Sequence, residues 1–274
     1  MIFKIARFLR HGPFRRLSPV WVFLGKVYRW IFSSLNLSRP VEHYIGPYGP
    51  FMLDGYFAFS DFKRWGVGHN NGFEACVEAC RNAKCFIDVG AHIGLVTIPA
   101  AKVMEGRGEV HAFEPSAVNL VFLKRHVAAN CLRNISVTDA LLGDENILVD
   151  FFETDYPNGQ NSKVPTSRVT TYRKCKRQQL TLDEYVLQNK IEPEIIKIDV
   201  EGAETAVLKG ARETLKLYKP LIFLSIHPTE LAETPDGLEG LIELIHKCGY
   251  RCCKLDGSDA TEFKLSEYVL KYET

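Results

Sequence analysis

Short apolar runs alternate with longer amphipathic segments from residue 84 onward. The apolar runs predict six strands, at residues 85–89, 109–114, 135–140, 194–199, 221–226 and 250–255. The segments with helical periodicity predict helices at residues 73–82, 95–104, 117–130, 203–217 and 237–248. Because these strands are short, nearly all apolar and separated by helices, the pattern predicts an α/β fold with a mostly parallel, doubly wound sheet.

Two stretches of period-two alternation interrupt this pattern, at residues 147–153 and 164–172. Such alternation is typical of half-buried strands. We therefore expect a β-hairpin inserted between the third and fourth parallel strands. A second short hairpin is predicted at residues 43–54, where Gly and Pro supply the turn.

The first 40 residues combine basic and bulky apolar side chains. Ser18-Pro19 is typical of a helix start, with Ser as the N-cap and Pro in the first turn. Beyond it, Lys26 and Arg29 share one face, and apolar residues recur at helical spacing on another. The repeat consists of Val20, Leu24, Val27, Ile31 and Leu35. We expect a helical appendage over residues 1–41 and one large domain over residues 42–274.

Charge is distributed unevenly along the chain. Residues 1–41 hold eight Lys or Arg and no acid, although the whole chain has a net charge of only +1. The rest of the chain therefore carries 26 basic against 33 acidic side chains, a net charge of −7. A bulk nucleic-acid binder is not usually acidic over most of its length, so we expect no nucleic-acid partner.

The basic, aromatic-rich appendage has two explanations. A helix that carries Trp and Phe beside Lys and Arg is typical of a segment lying on an anionic membrane surface. The same helix could instead pack on the domain and leave its charges solvated. The sequence keeps both explanations open.

Composition excludes several classes of protein. With 46% hydrophobic and 24% charged residues, the chain is neither disordered nor collagen-like. Its apolar runs fall short of the ~20 residues of a membrane span, which excludes a polytopic membrane protein. The eight cysteines form no CxxC pair and no zinc-type spacing with His. We expect a reduced, cytoplasmic protein, peripheral on the inner leaflet if the appendage binds membrane, and we assign no metal site.

The first candidate site is the segment FIDVGAHIG, residues 86–94. An apolar strand ends with Asp88, and a glycine turn follows it up to Gly94. In open α/β sheets, ligands bind beyond the carboxyl ends of the strands, at such a turn. Gly90 would let a ligand approach the backbone closely. The spacing differs from the G-x-G-x-x-G of dinucleotide sites, and a tight strand-to-helix turn would explain it equally well.

Acidic residues follow two further predicted strands. Glu114 ends the second strand, 26 residues after Asp88, where an acid can accept hydrogen bonds from both ribose hydroxyls of a nucleoside. Asp199 ends the fourth strand, and Glu201 and Glu204 follow at the start of a helix. In a doubly wound sheet we expect the Asp199 strand beside the Asp88 strand. Each acid could alternatively cap the helix that follows it.

A histidine ends the strand of LIFLSIHP, residues 221–228. A lone histidine is often only a hydrogen-bonded structural residue. At the carboxyl end of a core strand, near Asp199, His227 becomes a candidate general base.

These four segments, in this order, resemble the FkbM-type family of S-adenosylmethionine-dependent methyltransferases. The resemblance covers residues 70–256 and includes EPSAVNLVFLKRHVAAN, GQNS (159–162), LTLDEYV (180–186), IKIDVEGAE and VLKGA (207–211). It implies a class I methyltransferase (Rossmann-like) fold with a seven-stranded sheet, and O-methylation of sugars or specialised metabolites. Two positions depart from the family pattern, which commonly has Asn at His92 and Glu at Ser225.

The resemblance assigns roles to the candidate residues. S-Adenosyl-L-methionine is the implied cofactor, with Asp88 and the loop amides at its amino-acid tail and Glu114 at its ribose. The predicted donor-binding residues are Asp88, Gly90, Ala91, His92, Gly94, Glu114, Pro115 and Asp199. A hydroxyl is a poor nucleophile until its proton leaves, and the predicted catalytic residues are His227, Asp199 and Glu201.

The implied acceptor is a hydroxyl of a sugar or glycan, including a glycan linked to a lipid. Four alternatives remain open from the sequence. They are a small specialised metabolite as acceptor, a metal-assisted mechanism through Asp199 and Glu201, a nicotinamide oxidoreductase, and a non-catalytic membrane-binding protein.

Overall fold

The computed structural model of the 274-residue chain describes residues 18–35, 37–163 and 171–273. The chain divides into two compact units. The first contains the described residues up to 65 together with residues 128–130, and the second contains the rest. The predicted domain boundary at residues 41/42 stays a prediction.

The first unit consists of helix α1 (Ser18–Ser34) and an antiparallel hairpin of β1 (Pro40–Ile45) and β2 (Tyr48–Asp54). The helix packs through its small and aromatic face. Tyr28 donates its hydroxyl hydrogen to the Gly55 carbonyl oxygen at 2.8 Å and meets the Phe59 ring edge-on. A Cβ on Gly55 would lie 2.6 Å from the Phe32 ring, so glycine is needed for this close approach. The helix predicted to start at Ser18-Pro19 and the predicted hairpin are both present, and residues 1–17 of the predicted appendage lie outside the described residues.

The described residues of the second unit form ten strands. They are β3 (Cys85–Val89), β4 (Glu109–Phe113), β5 (Ile135–Thr138), β6 (Leu141–Leu142), β7 (Leu148–Glu153), β8 (Arg173–Leu180), β9 (Ile195–Ile198), β10 (Leu221–Ile226), β11 (Tyr250–Cys253) and β12 (Ser266–Tyr272). Seven of them form the main sheet, in the order β11-β12-β10-β9-β3-β4-β5. Strand β12 is antiparallel to both of its neighbours, and the other pairs are parallel. This confirms the predicted α/β fold with a mostly parallel seven-stranded sheet.

Eight helices of the second unit connect these strands. They are α2 (Phe73–Cys80), α3 (Thr97–Met104), α4 (Ala117–Ala129), α5 (Leu182–Asn189), α6 (Glu204–Lys209), α7 (Arg212–Tyr218), α8 (Pro228–Leu231) and α9 (Gly237–Lys247). The largest apolar cluster joins one face of the central strands to α5, α6, α7 and α9. Each large apolar side chain buried there contributes ~1.5–3 kcal/mol relative to exposure.

Several predicted elements differ from the observed ones. The helix predicted over residues 203–217 is two helices, α6 and α7, separated at Gly210. A Cβ there would lie 1.9 Å from the Gly143 carbonyl oxygen, so the chain must bend around a glycine. Helix α5 and strand β12 were not predicted, because charged residues such as Glu267 interrupt their apolar patterns.

The inserted β structure lies between β5 and β9, as predicted, and its first strand is present as β7. Strand β7 pairs with β8, which begins at Arg173 and was not predicted. The predicted second strand, at residues 164–172, stays a prediction. Residues 164–170 lie outside the described residues. The charged sequence of β8 concealed a strand whose Lys174 and Lys176 side chains pair with Asp150 at 2.9 Å on the solvent side. Strand β6 joins the other edge of β8.

Candidate active site

The carboxyl ends of four neighbouring strands bring the predicted site residues together. The strand order β10-β9-β3-β4 places His227, Asp199, Asp88 and Glu114 along one edge of the sheet. The expected pairing of the Asp88 and Asp199 strands is confirmed, since β3 lies directly beside β9.

The turn after β3 requires its glycines. Gly90 has φ 81° and a Cβ there would lie 1.9 Å from the Asp199 carbonyl oxygen. Gly94 has φ 92° and a Cβ there would lie 2.8 Å from the Leu123 side chain. Both positions therefore combine left-handed backbone with a close neighbour, which L-residues do not tolerate. The turn is built to bring the backbone of the β3 loop against the loop after β9.

His92 occupies the left-handed region with φ 53°. Among non-glycine residues, Asn, Asp and His are the ones enriched there. His92 is thus a residue suited to this backbone. Burial lowers the pKa of His92 to about 4, so its ring is neutral near pH 7.

The amides of this loop already have acceptors in the protein. Gly90 and Ala91 both donate to the Phe113 carbonyl oxygen, at 3.1 and 2.9 Å, and Gly94 donates to Ala91. The His92 amide donates to Glu114 Oε2 at 2.7 Å. The predicted role of the loop amides at the donor's amino-acid tail is therefore not supported for these four N–H groups, which are bonded within the protein.

Glu114 is buried and holds the start of the next helix. Its Oε1 accepts hydrogen bonds from the Ser116 amide at 2.8 Å and from Asn119 Nδ2 at 3.3 Å. A carboxylate has about four acceptor positions, so these bonds and that from His92 leave about one for a ribose hydroxyl. Burial raises the pKa of Glu114 to about 7, against the lowering effect of the three hydrogen bonds. Pro115 follows, half-buried.

Asp88 and Lys197 form a buried ion pair that the sequence did not reveal. Side chains alternate along strands, and the register pairs Asp88 with Lys197 on one face of the sheet. Lys197 Nζ lies 3.4 Å from Asp88 Oδ1 and 3.5 Å from Asp199 Oδ2. Asp88 also accepts a 2.6 Å hydrogen bond from Thr97 Oγ1. A lysine within the otherwise apolar strand IIKI was the signal that Lys197 needs a buried partner, although it does not identify which residue that partner is.

Burial alone would lower the pKa of Lys197, but the charges of Asp88 and Asp199 hold it well above its ordinary value. Glu267 also raises the pKa of Lys197. It lies on β12, where it pairs with Ser225 of the adjacent strand β10. Lys197 thus stays charged and joins the Asp88 and Asp199 carboxylates.

His227 lies among three carboxylates. Its Nδ1 is 2.7 Å from Glu204 Oε1, while its Nε2 is 3.5 Å from Asp199 Oδ1 and 3.6 Å from Glu201 Oε1. Burial alone would lower the pKa of the ring, but the hydrogen bond to Glu204 and the charges of Asp199 and Glu201 raise it to about 9. The three predicted catalytic residues are therefore brought together, and Glu204 joins them as an orienting partner.

The two carboxyl groups facing Nε2 differ in their titration. Burial would raise the pKa of Asp199, but Lys197 and His227 hold it below its ordinary value. Burial raises the pKa of Glu201 to about 7 despite the charge of His227.

The backbone at Glu201 is strained, with φ 50° in the left-handed region. Ser162 Oγ donates to the Glu201 carbonyl oxygen at 2.7 Å, and the Gly202 amide donates to Glu204 Oε1 at 3.2 Å. Strain of this kind persists where surrounding contacts determine it, and such places are often functional. The GQNS segment therefore contributes to the site by holding the Glu201 loop.

A comparison of the sequence with protein families shows which family the chain belongs to. The family model described as "Methyltransferase FkbM domain" matches residues 88–252, which is more than half of the chain. The chain belongs to the FkbM methyltransferase family. This membership confirms the predicted enzyme class and S-adenosylmethionine as its methyl donor, and it decides against the nicotinamide oxidoreductase.

Two solved structures that match part of this chain are named as follows. Methyltransferase FkbM from Methylobacillus flagellatus KT is 22% identical with a TM-score of 0.47, over 70% of this chain and 44% of that one. The O-methyltransferase from Bacillus cereus in complex with SAH is 16% identical with a TM-score of 0.45, over 74% and 80% of the two chains. This chain thus spans less than half the length of the M. flagellatus protein. No curated protein sequence matches the chain.

The other FkbM-type segments maintain the fold behind the active site. Asp183 of LTLDEYV accepts hydrogen bonds from the Glu213 and Thr214 amides at the start of α7, at 3.1 and 2.8 Å. The Asp183 amide donates to the carbonyl of Gly210, in the VLKGA segment, at 3.0 Å. These two family segments therefore hold each other in place away from the candidate site residues.

Proposed function

We propose that the protein is an S-adenosylmethionine-dependent O-methyltransferase whose acceptor is a hydroxyl of a sugar or glycan carried on a lipid. The observation that carries the proposal is the convergence of Asp199, Glu201 and His227 at the sheet edge beside the β3 loop. The family membership supplies the methyl donor, and the cluster supplies polar groups for a hydroxyl. The sugar or glycan rests on the sequence resemblance, with a small specialised metabolite as the alternative.

The residues proposed to hold the donor are those predicted from the sequence. The turn at Gly90 and Gly94 would shape the donor site by bringing the β3 loop against its neighbours, and Glu114 would accept a ribose hydroxyl. Asp88 and Lys197 lie beneath them as a fixed buried pair. Their charges would orient the donor's charged tail through the local field, since Asp88 is fully buried.

Methyl transfer is an in-line displacement in which the S–CH₃ bond breaks as the O–CH₃ bond forms. Much of the acceleration comes from holding the two reactants in line. The hydroxyl proton must also leave, and a positioned base contributes ~10²–10⁴-fold. His227 lies close to three carboxylates, so the protonation of each group depends on the others. We therefore assign the proton taken from the acceptor hydroxyl to the cluster and not to one atom.

The outer face of α1 supports a membrane partner. The face opposite Tyr28 and Phe32 is apolar and exposed, with Phe23 64% and Trp30 70% accessible. Other exposed apolar residues of the helix are Val20, Leu24, Val27 and Ile31. The packing explanation therefore accounts for one face of the helix and leaves this one in solvent.

The charge of the same segment selects the kind of membrane. Eight basic residues and no acid in residues 1–41 would attract an anionic leaflet, at ~1 kcal/mol for each cation near the surface. We propose that residues 1–41 hold the enzyme peripherally on the cytoplasmic leaflet, with residues 42–274 as the methyltransferase domain. No helix among the described residues is long and apolar enough to cross a membrane.

The experiment that tests this function compares turnover with donor binding. Full-length protein, its His227→Gln variant and a control variant Glu109→Gln are incubated with isotope-labelled S-adenosylmethionine and extracted glycans. We expect His227→Gln to lower kcat at least ~100-fold while donor affinity stays within about twofold. Full activity in His227→Gln would remove the cluster from the mechanism.

A further inference from the structure

Three side chains at the candidate active site present metal-ligand atoms to one point. One atom each from Asp199, Glu201 and His227 lies within 4.8 Å of the other two. The His227 Nε2 separations of 3.5 and 3.6 Å from the two carboxylates are too long for hydrogen bonds. Two ligands bound ~2.1 Å from one tetrahedral ion lie ~3.4 Å apart, so the observed spacing fits ligands around a common cation.

The orientation of the His227 ring is fixed from behind. Nδ1 lies 2.7 Å from Oε1 of Glu204, whose side chain is fully buried. A histidine that binds metal through one ring nitrogen commonly donates the other N–H to a carboxylate, which fixes the tautomer and the direction of the ring. Glu204 therefore leaves Nε2 as the nitrogen available to a metal ion.

The local charge also favours a cation. Asp199, Glu201 and Glu204 surround the ring, while the nearby cation Lys197 divides its contacts between Asp88 and Asp199. Glu201 Oε2 is buried and has no hydrogen-bond partner among the described residues. The Asp199 side chain is 28% exposed, so the cluster is open to solvent on that side and an ion could enter it.

We propose that Asp199, Glu201 and His227 bind one divalent transition-metal ion that coordinates the acceptor hydroxyl. One imidazole with two carboxylates suits Mn²⁺, Fe²⁺ or Zn²⁺ better than the all-oxygen sites of Mg²⁺ and Ca²⁺. The part concerning the hydroxyl rests on the proposed function. With the ion bound, these three residues act as ligands in place of the base role given above: coordination lowers the pKa of the hydroxyl, whose proton passes to solvent. The oxygen then takes the methyl group, the donor leaves as S-adenosylhomocysteine, and the metal keeps its oxidation state.

Manganese binding to the full-length protein tests the site without requiring an acceptor. After treatment with a chelator and its removal, the protein is titrated with Mn²⁺ and followed by electron paramagnetic resonance. We expect one ion per chain, with affinity reduced at least tenfold in Asp199→Asn and in His227→Gln. Pulsed measurements should detect coupling to an imidazole nitrogen in the wild type and lose it in His227→Gln.

A second group of Cys85, Glu109 and His111, at the opposite ends of β3 and β4, provides the matched control. Glu109→Gln should leave Mn²⁺ binding unchanged, and a cooperative thermal unfolding transition confirms that each variant is folded. No binding by the wild type, or equal binding by wild type and His227→Gln, would overturn the metal site. Full methyl transfer in chelator would also overturn it while leaving the proposed function standing. Bound Mn²⁺ without methyl transfer to any hydroxyl would keep the site and remove the proposed function.

Discussion

Gly90 and Asp199 meet at the backbone, where a Cβ on Gly90 would lie 1.9 Å from the Asp199 carbonyl oxygen. This contact joins the loop proposed for the methyl donor to the loop that carries the acceptor-side acids. The lateral fit of the two loops therefore fixes the relative position of the two halves of the site.

The contact predicts a large cost for Gly90→Ala. The added methyl group must displace the Asp199 carbonyl oxygen. The alanine must also adopt the left-handed φ of 81° that Gly90 has. We expect a loss of ~3 kcal/mol or more in the free energy of unfolding, measured by urea denaturation. The matched control is Gly106→Ala, with a similar φ of 79° and no neighbour within 4 Å, which should lose only ~1–2 kcal/mol. Equal losses in both variants would contradict the close approach.

Glu114 is predicted to contribute to donor affinity. Calorimetry of S-adenosylmethionine binding should show at least tenfold weaker binding for Glu114→Ala, which is ~1.4 kcal/mol. Asp155→Ala removes the same charge from a side chain that is 87% exposed, and it should bind the donor like the wild type. Unchanged affinity in a folded Glu114→Ala protein would take Glu114 out of the donor site.

The buried Glu153 predicts how stability depends on pH. Burial would raise its pKa, but Arg177 at 2.9 Å, Arg173 at 2.5 Å and the Ala117 amide at 3.1 Å lower it. Since the folded pKa lies below the unfolded value of ~4.3, Glu153 stabilises the fold above that pH. This contribution is lost as pH falls through the folded pKa.

Urea midpoints at pH 7, 5, 4 and 3 measure this dependence. The stability difference between wild type and Glu153→Gln should be largest at pH 5–7 and should shrink toward pH 3. A difference that grows as the pH falls would show that the sign is wrong.

The sequence predicted the strands that are buried on both faces. Strands 85–89 and 221–226 are buried on both faces, so their apolar runs marked them directly, and the candidate residues at their ends followed. Strand β8 was not predicted because it is mostly exposed, and its charged, solvent-facing residues give it the sequence pattern of a loop. Lys197 escaped because its partner Asp88 is remote in sequence and becomes adjacent only through the strand order β9-β3. Nothing in the local pattern around Lys197 names that partner.

The exposed face of α1 predicts binding to anionic vesicles. Full-length protein should sediment with anionic but not neutral vesicles, and rising salt should weaken the binding. Replacing Phe23 and Trp30 with Ser removes apolar area without changing charge, and it should reduce the bound fraction several-fold. Leu187 and Leu217 are similarly exposed on α5 and α7, so replacing them with Ser is the matched control. If the control pair weakens binding as much, or if the wild type ignores anionic vesicles at low salt, α1 is not the membrane face.

The chemical position of the transferred methyl group tests the central claim most directly. Full-length protein is incubated with methyl-¹³C S-adenosylmethionine and lipid-linked glycans, and the products are analysed by mass spectrometry and by carbon NMR. The wild type should place the label on a sugar oxygen, seen as an O-methyl resonance, and His227→Gln should leave the same glycan unlabelled. Label found on nitrogen or carbon would contradict O-methylation. Equal labelling of the glycan by wild type and His227→Gln would contradict transfer at the Asp199, Glu201 and His227 cluster.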